Sequence, residues 1–580
     1  MSNYYIVKID IGSKQKYIFS SNRLKEIIGA SEIIRFITED LGKEVLKNMG
    51  KKHKYFTKLD PHGNVVFEAG GNAMYIFEDE KDAIDFNKSF STFVMRNFDG
   101  LELLIVMKEF NIKTDRIDHL YDDMEELLTR KKGTRKNQFK RVGYGISKIC
   151  GSTRKPAGYC IKDLSEDKEY EVSKESRDKR DFYDFIYEKK GKGFREYTTN
   201  GKSIETIHKE DEELLRDCNG FDFSIETDVL GGEEGEGSYI GIVCVDGNGM
   251  GKKIASFKEV YRERFKKDCT KINIEYIGKF RQLTKDIADN YKNAFKHMVE
   301  KLCKNYDCYS KEIGMKKEVI EKHILPIRPL ILAGDDITFI ANGKIAIEAA
   351  KEFIVKAEQK EILFGDKPYH LTTSTGIAIV KKNFPFARAV NLATQLEKNS
   401  KKKLKEIKNG LKDIDYEEDY EVSIMDWQVS RGQDTDLTNM RNSNQTDQVS
   451  IDKSGMDLDL MTEDIQTAKP YIVRREGIFF NKTVKGIEKN ELLDKLKEII
   501  PYDYDHFIKM IHEITCSGSK THLQNYFRSM NSSREDAILF ATKYDLQRKL
   551  DTNLDIQILS KVTMDAIDII NIYQGIEGGK

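Results

Sequence analysis

Cysteine is scarce in this chain: eight residues in 580. No two Cys-x-x-Cys motifs occur, and Cys303 and Cys308, spaced Cys-x₄-Cys, fall at a helix end where core packing explains them. A disulfide framework is therefore not expected, nor is a structural zinc. Long apolar runs are also missing, which excludes a membrane-spanning helix by length. Met1 to Asp10 enters a strand-like run without the basic, apolar and small-residue pattern of a leader, so the expectation is a cytoplasmic protein with no membrane partner. Nor is there a surplus of charge of one sign. Lysine plus arginine number 96 against 97 acidic residues, a formal net charge of -1, which neither requires nor forbids a nucleic-acid partner.

What is present suits several soluble domains. Apolar residues make up 39% and charged residues 33%, with a mean hydropathy of -0.57. The most telling feature is a turn, Ala333-Gly334-Asp335-Asp336, between apolar strands at Pro329 to Leu332 and Ile337 to Ile340. A third acid, Asp246, closes the earlier apolar run Tyr239 to Val245.

The order of elements explains why these acids belong together. In residues 4–108 the strand Tyr4 to Ile11 is followed by a helix starting at Ser31. Strand patterns at Tyr55 to Leu59, Asn64 to Ala69 and Ala73 to Phe77 come next, then a helix over Glu80 to Phe90 and a strand over Leu101 to Met107. Residues 238–427 repeat the plan: strand Tyr239 to Val245, helical region Asn273 to Leu302, the Asp-Asp hairpin, helix Ile345 to Gln359, strand Leu371 to Val380, helix Pro385 to Leu404. Two βαββαβ units imply an α+β fold with two ferredoxin-like sheets. In such a sheet the β2–β3 turn falls beside the end of β1, which brings Asp246 to Asp335 and Asp336.

Residues 1–108 are thus expected to be a first unit and 109–237 a mixed, mainly helical linking domain. Residues 238–480 form the second unit, with a flexible insertion at 430–462, and 481–580 a C-terminal helical domain. Within that last domain the helices are expected at Leu492 to Ile500, His506 to Ile514, Ser533 to Tyr544 and Val562 to Ile572. Basic runs at 130–141 and 189–195 read first as solvated faces and second as phosphate contacts on RNA.

Three carboxylates held together repel one another and persist cheaply only beside a cation. Hard oxygen ligands suit Mg²⁺ or Mn²⁺, and Mg²⁺ favours sites shared with substrate phosphates. Asp246, Asp335 and Asp336 are therefore the candidate metal-binding and catalytic residues. Gly334 permits a tight hairpin. Gly247, Asn248, Gly249, Met250 and Gly251 form a glycine-rich loop able to cradle phosphate, although a plain turn explains it as well. Lys398, Lys401 and Lys402 could neutralise a triphosphate, or simply complement a helix C-terminus. In the first unit the hairpin Gly70-Gly71-Asn72 lacks the acids: Asn72 and Ala73 stand where the aspartates are expected, and only Asp10 remains. That unit is expected to bind nucleotide or support the second without performing chemistry.

Four stretches together resemble a known family: Asp10-Ile11-Gly12 with Gln15 to Phe19 and Leu24 to Ser31; Ala69 to Asn72; Val245 to Gly251; and Leu332 to Asp336, with Lys469-Pro470-Tyr471 also fitting. The chain resembles the large, polymerase-like subunit of type III CRISPR interference complexes over roughly 4–475. The resemblance implies two face-to-face palm domains and an antiviral activity in which ATP is joined 3′–5′ into cyclic oligoadenylates. It also implies a complex with other effector subunits, guide RNA and activating target RNA. By position, Asp335 and Asp336 match the catalytic pair, Asp246 the acid of the first strand, and Gly334 the second glycine of the usual pair, with Ala333 in place of the first. Many members carry a histidine-aspartate nuclease domain. No His-Asp dipeptide in that order occurs here, so no such DNase is expected. A catalytically weak scaffold for RNA and partner proteins, or a mono- or dinucleotide cyclase, are the competing readings.

Overall fold

The computed structural model of the protein describes residues 3–577, apart from 70, 136–144, 146, 164–167, 189–196, 200–201, 204–209, 233–237, 263, 267–268, 411–419, 433–435, 444–466, 475–478, 481–493, 495 and 517–555.

Two antiparallel cores share one connectivity. The first sheet contains β1 (Asn3–Gly12), β2 (Val65–Ala69), β3 (Asn72–Phe77) and β4 (Glu102–Asn111) in the order β2-β3-β1-β4. Helices α1 (Lys14–Ile18) and α2 (Leu24–Arg35) follow β1, and α3 (Glu80–Asn97) links β3 to β4. The linking region supplies α4 (Ile117–Arg135) and α5 (Lys174–Tyr183), and two small hairpins, Tyr159–Asp163 with Lys168–Val172 and Thr198–Thr199 with Lys202–Ser203.

The second sheet contains β5 (Tyr239–Gly247), β6 (Ile327–Ala333), β7 (Asp336–Asn342), β8 (Thr373–Lys381), β9 (Ile424–Val429) and β10 (Tyr471–Ile472), in the order β6-β7-β5-β8-β9-β10. The sequence reading reached the first four; β9, parallel to β8, and β10 widen the sheet. Helices α6 (Met250–Arg262) and α7 (Cys269–Lys304) connect β5 to β6, α8 (Ala346–Ala357) lies between β7 and β8, and α9 (Phe386–Gly410) follows β8.

Local chemistry accounts for these elements. Strand β5 is an apolar run buried on both faces, as a central strand requires. Along α7, Ile272, Tyr276, Leu283, Ile287, Tyr291, Phe295 and Met298 recur at helical spacing and are buried. Helix α2 starts at Leu24 rather than Ser31: the Ser21 hydroxyl accepts from the Arg23 amide at its entry, and Ser31 instead donates to the Leu330 carbonyl of β6. Tyr55 makes only an isolated bridge to Val65, so 55–59 is not a strand. Part of the expected flexible insertion is ordered. Helix α10 (Leu437–Ser443) buries Leu437 and Met440, and Arg441 pairs with buried Asp426 at 2.6 Å.

The two sheets are joined through shared packing. Arg281 on α7 donates to the Phe56 and Val66 carbonyls of the first unit and lies over the Tyr55 ring, and Asn273 accepts from the Ile117 amide at 2.9 Å. In the C-terminal region α11 (Tyr504–Cys516) and α12 (Ile556–Ile569) are helices, overlapping two of the expected ones; Ser533 to Tyr544 lies outside the described residues. Among the described residues no helix is long and apolar enough to cross a membrane.

Candidate active site

Register brings the acids together. Asp246 lies directly opposite Asp336 in the β5–β7 ladder, and Ala333 pairs with Asp336 across the two-residue turn Gly334-Asp335. Directly opposed residues place their side chains on one face within a few ångströms. Gly334 has φ 67°, and a Cβ there would meet nothing within 4 Å, so backbone conformation rather than space calls for glycine. Ala333 is not among the positive-φ residues, so its methyl group introduces no backbone strain.

The carboxylates are electrostatically stressed. Burial raises the Asp335 pKa, reinforced by Asp246. Burial likewise pushes Asp336 up to about 6, with Asp246 and Asp335 adding to the shift and Lys14 opposing it. Two lysines answer this charge. Lys401 contacts Asp246 at 2.8 Å and Glu397 at 2.6 Å. Burial alone would lower its pKa, but those two acids raise it. Lys14 comes from α1 of the first unit; burial lowers its pKa, while Asp10, Asp336 and Asp335 oppose that shift. The site is therefore assembled from both halves of the chain.

The three acids are brought to one end of the hairpin without forming a closed cage. Among the described residues, no three acidic, histidine or cysteine side chains stand close enough to form a metal cage. The physical reason lies in the pairing just described: Lys401 holds the Asp246 carboxylate, and Lys14 lies in the field of the other two.

The chemistry around the acids nevertheless fits a cation with bound oxygen ligands. Tyr291 of α7 is fully buried, and its hydroxyl has no hydrogen-bond partner among the described residues. That oxygen sits 2.7 Å from where a Gly247 Cβ would be, with the Asp335 Cβ 3.1 Å from the same point. Burial, then Asp335 and Asp246, raise its pKa well above the ordinary tyrosine value, so it remains a donor. An orphaned donor beside clustered hard oxygens suits a site that takes a hydrated divalent ion or a phosphate oxygen.

The glycine-rich loop is braced from behind. Asn248 is buried; its amide group donates to Thr372 Oγ1 and the Val422 carbonyl, both at 3.2 Å, and its Oδ1 accepts from Ser374 at 2.7 Å. Its side chain thus holds the loop and does not face a ligand. Lys253, also buried, donates to the Asn248 carbonyl at 2.8 Å and pairs with Glu421 at 2.6 Å. Gly249 has φ 66°, and a Cβ there would lie 2.4 Å from Glu421 Oε1. Met250 and Gly251 begin α6, so the loop is shorter than the sequence pattern indicated.

The remaining expected residues divide. Lys401 reaches the acids. Lys398 is exposed one turn earlier on α9, and Lys402 faces solvent, 3.9 Å from Glu406. In the first sheet Asp10 lies opposite Asn72, the position Asp336 holds in the second. Asn72 therefore corresponds to Asp336 and Gly71 to Asp335, one residue earlier than Asn72 and Ala73. Gly71, with φ 83°, lets Lys14 pass beneath it; a Cβ would lie 2.2 Å from the Lys14 amine. Gly70 is outside the described residues. Asp10 pairs with Lys132 at 2.5 Å.

Sequence reasoning missed Lys14, Glu397 and Tyr291. Glu397 lies four residues before Lys401, a helical pairing distance that was legible, whereas Lys14 opens α1 after the turn that ends β1 and reaches the acids only through the fold. Nothing distinguished Tyr291 from other core positions of α7.

Residues 239–412 match the family model for the second palm domain of Cas10/Cmr2. The chain carries a Cas10/Cmr2-type palm. This match covers β5 to β8 and both acid-bearing elements. No curated protein matches the chain. Among solved structures, the chain is similar to a Csm1-Csm4 subcomplex of the type III-A CRISPR-Csm interference complex (13% identity, 69% of this chain and 54% of that one, TM-score 0.40). It is also similar to a Csm1-Csm4 cassette in complex with cA4 (12%, 98% and 70%, TM-score 0.44) and to Csm1 in T. onnurineus (14%, 70% and 52%, TM-score 0.37). The chain spans about half the length of most of these relatives, 53% of an apo Csm1-Csm4 cassette.

Proposed function

We propose that the chain is a metal-dependent nucleotidyltransferase that joins ATP into cyclic oligoadenylates for antiviral defence. It would act as a subunit of an RNA-activated CRISPR effector, alongside partner subunits, guide RNA and target RNA. In this reading residues 1–108 are a degenerate first palm of ferredoxin-like form, 109–237 a linking domain, 238–480 the catalytic palm and 481–580 a helical C-terminal domain. The observation that carries the proposal is Asp246 opposite Asp336, with Asp335 in the turn between them, inside a Cas10/Cmr2-type palm.

Asp246, Asp335 and Asp336 would hold Mg²⁺ or Mn²⁺. A bound divalent ion supplies charge neutralisation at the acids, acidification of a 3′-hydroxyl and relief of charge on departing pyrophosphate. The chain's own groups do the rest. Lys401 exchanges its carboxylate partners for phosphate oxygens, a role suited to a mobile point charge. Tyr291 donates its free hydroxyl to an oxygen placed beside Asp335. The braced loop at Gly247 to Gly249 offers backbone at close approach to phosphate. Lys14 brings a cation from the first palm, so a nucleotide between the palms meets charge from both sides.

A scaffold function is the second reading. It draws on Asp10, already matched by Lys132, and on Asn72 where the second palm has Asp336. Incubation of the purified protein with ATP and Mg²⁺ or Mn²⁺, with and without RNA-bearing partner complexes, separates the two by mass spectrometry of products. The enzyme reading expects cyclic adenylates that vanish in Asp335→Asn with Asp336→Asn. Undiminished product in that double variant ends it.

A further inference from the structure

A second cationic site lies at the other end of the palm. A cavity of about 600 Å³ opens where the α1–α2 connection, the linking region and the start of α9 meet. Its walls include Phe19 and Asn22 from the first unit, Arg154 from the linking region, and Lys381, Phe384 and Arg388 from the second. Lys381 pairs with Tyr239 at the start of β5, whereas Asp246 stands at its finish. Seven residues of strand separate the two ends, roughly 24 Å. The cavity is therefore distinct from the acid cluster.

Three features point to its ligand. Among the described residues no aspartate or glutamate lines the cavity, while three cations from separate segments do. Arg154 and Arg388 are exposed and form no ion pair with a described carboxylate. The second feature is the backbone that presents Arg154. It adopts φ 58°, in the left-handed region that arginine seldom enters. The turn that holds it there is closed by the Arg154 amide donating to the Cys150 carbonyl at 3.0 Å and the Cys150 amide donating to the Lys155 carbonyl at 2.8 Å. The third feature is an apolar wall. Phe384 is half-buried and stands beside the cations, and buried Phe19 also lines the cavity. Asn22 accepts from the Phe386 amide at 3.1 Å, which ties the first unit to α9 and keeps the walls in register.

The planar guanidinium fork donates to two oxygens of one anion at once, and a phosphate presents such a pair with up to two negative charges. A flat aromatic base suits the phenyl wall, and the volume falls within the range of small-ligand sites. We propose that this cleft binds a nucleotide phosphate with its base against Phe384, independently of divalent metal. The same chemistry is offered by a free nucleotide and by the 5′-phosphorylated end of an RNA strand. Because the cleft is built from both units and the linking region, its occupant would bear on how the halves sit together.

The test uses the full chain in EDTA, where the carboxylate cluster repels phosphate and the cationic cleft does not. Two probes, ADP and a 5′-phosphorylated adenosine tetranucleotide, are titrated calorimetrically at low and at moderate salt. Binding of either probe, weakening with salt, is expected; ADP alone identifies a free-nucleotide site, and the tetranucleotide alone a strand-end site. Arg154→Glu with Arg388→Glu should weaken binding at least about 10-fold. Arg154→Lys with Arg388→Lys, which keeps the charge but loses the forked donors, should bind more weakly than wild type and more tightly than the Glu variant, which guards against a folding artefact. No binding of either probe to the wild-type chain at about 1 mM, or equal binding by the Glu variant, overturns the proposal. Either outcome leaves the assignment of the acid cluster untouched.

Discussion

Tyr291 is the residue at which packing and proposed chemistry diverge most clearly. A buried hydroxyl without a partner is unfavourable by about 1–3 kcal/mol, and here it stands beside Gly247 and Asp335. Removing it should therefore help the resting protein and harm the reaction. Tyr291→Phe is expected to raise the unfolding midpoint by about 2 °C and to lower product formation roughly 10-fold. Thermal denaturation and product assays on the same preparation check this; a lowered midpoint with unchanged turnover contradicts it. Glu358 gives a second residue-scale prediction. It is buried, accepts from Ser423 at 2.8 Å and lies 3.2 Å from Arg474, yet burial raises its pKa to about 7. The folded state therefore holds this proton more tightly than the unfolded chain. Its contribution favours folding below about pH 4.5 and is lost as pH rises to about 7. Glu358→Gln should remove a slope worth roughly 3 kcal/mol across that window, seen as a flatter plot of midpoint against pH than wild type.

At the scale of elements, the loop after β5 depends on a buried ion pair. Lys253 and Glu421 are both largely buried, and Lys253 also holds the Asn248 carbonyl. Lys253→Met removes the nearer of two lysines from Glu421, leaving Lys408 at 4.0 Å and the Thr372 hydroxyl at 3.1 Å, and should destabilise the protein by about 2–4 kcal/mol. Adding Glu421→Gln should recover part of that loss in chemical denaturation; no recovery would mean that lysine packing, not charge, braces the loop. Elements were also where the sequence was most and least legible. The Gly334 turn with its apolar flanks declared the β6–β7 hairpin, and the buried run of β5 declared a central strand ending at Asp246. The start of α2 was misplaced because Ser31 looks like a cap but is spent on a contact to Leu330, which only the folded chain reveals. Strands β9 and β10 escaped notice because their pairing with β8 is set by tertiary contact, and the helix at Leu437–Ser443 sits in a polar stretch with few apolar anchors.

At the scale of the molecule, the two sheets repeat one connectivity, and their matched ladders place Asp10 opposite Asn72 and Asp246 opposite Asp336. Local sequence could show the repeat but not which side chains cross between its copies. Lys14 is such a crossing: it belongs to the first unit, yet its charge acts on the acids of the second. Lys14→Met should thus reduce nucleotide turnover roughly 10-fold while leaving the unfolding midpoint nearly unchanged. Turnover equal to wild type would assign Lys14 to the first unit alone. The central claim, that three acids from one palm share a divalent ion, is tested most directly by titrating Mn²⁺ into the full chain with a non-hydrolysable ATP analogue, followed by electron paramagnetic resonance. Bound Mn²⁺ in the wild type, with affinity at least about 10-fold lower in Asp246→Asn and in Asp336→Asn, is the predicted result. Equal Mn²⁺ affinity in all three proteins would contradict it.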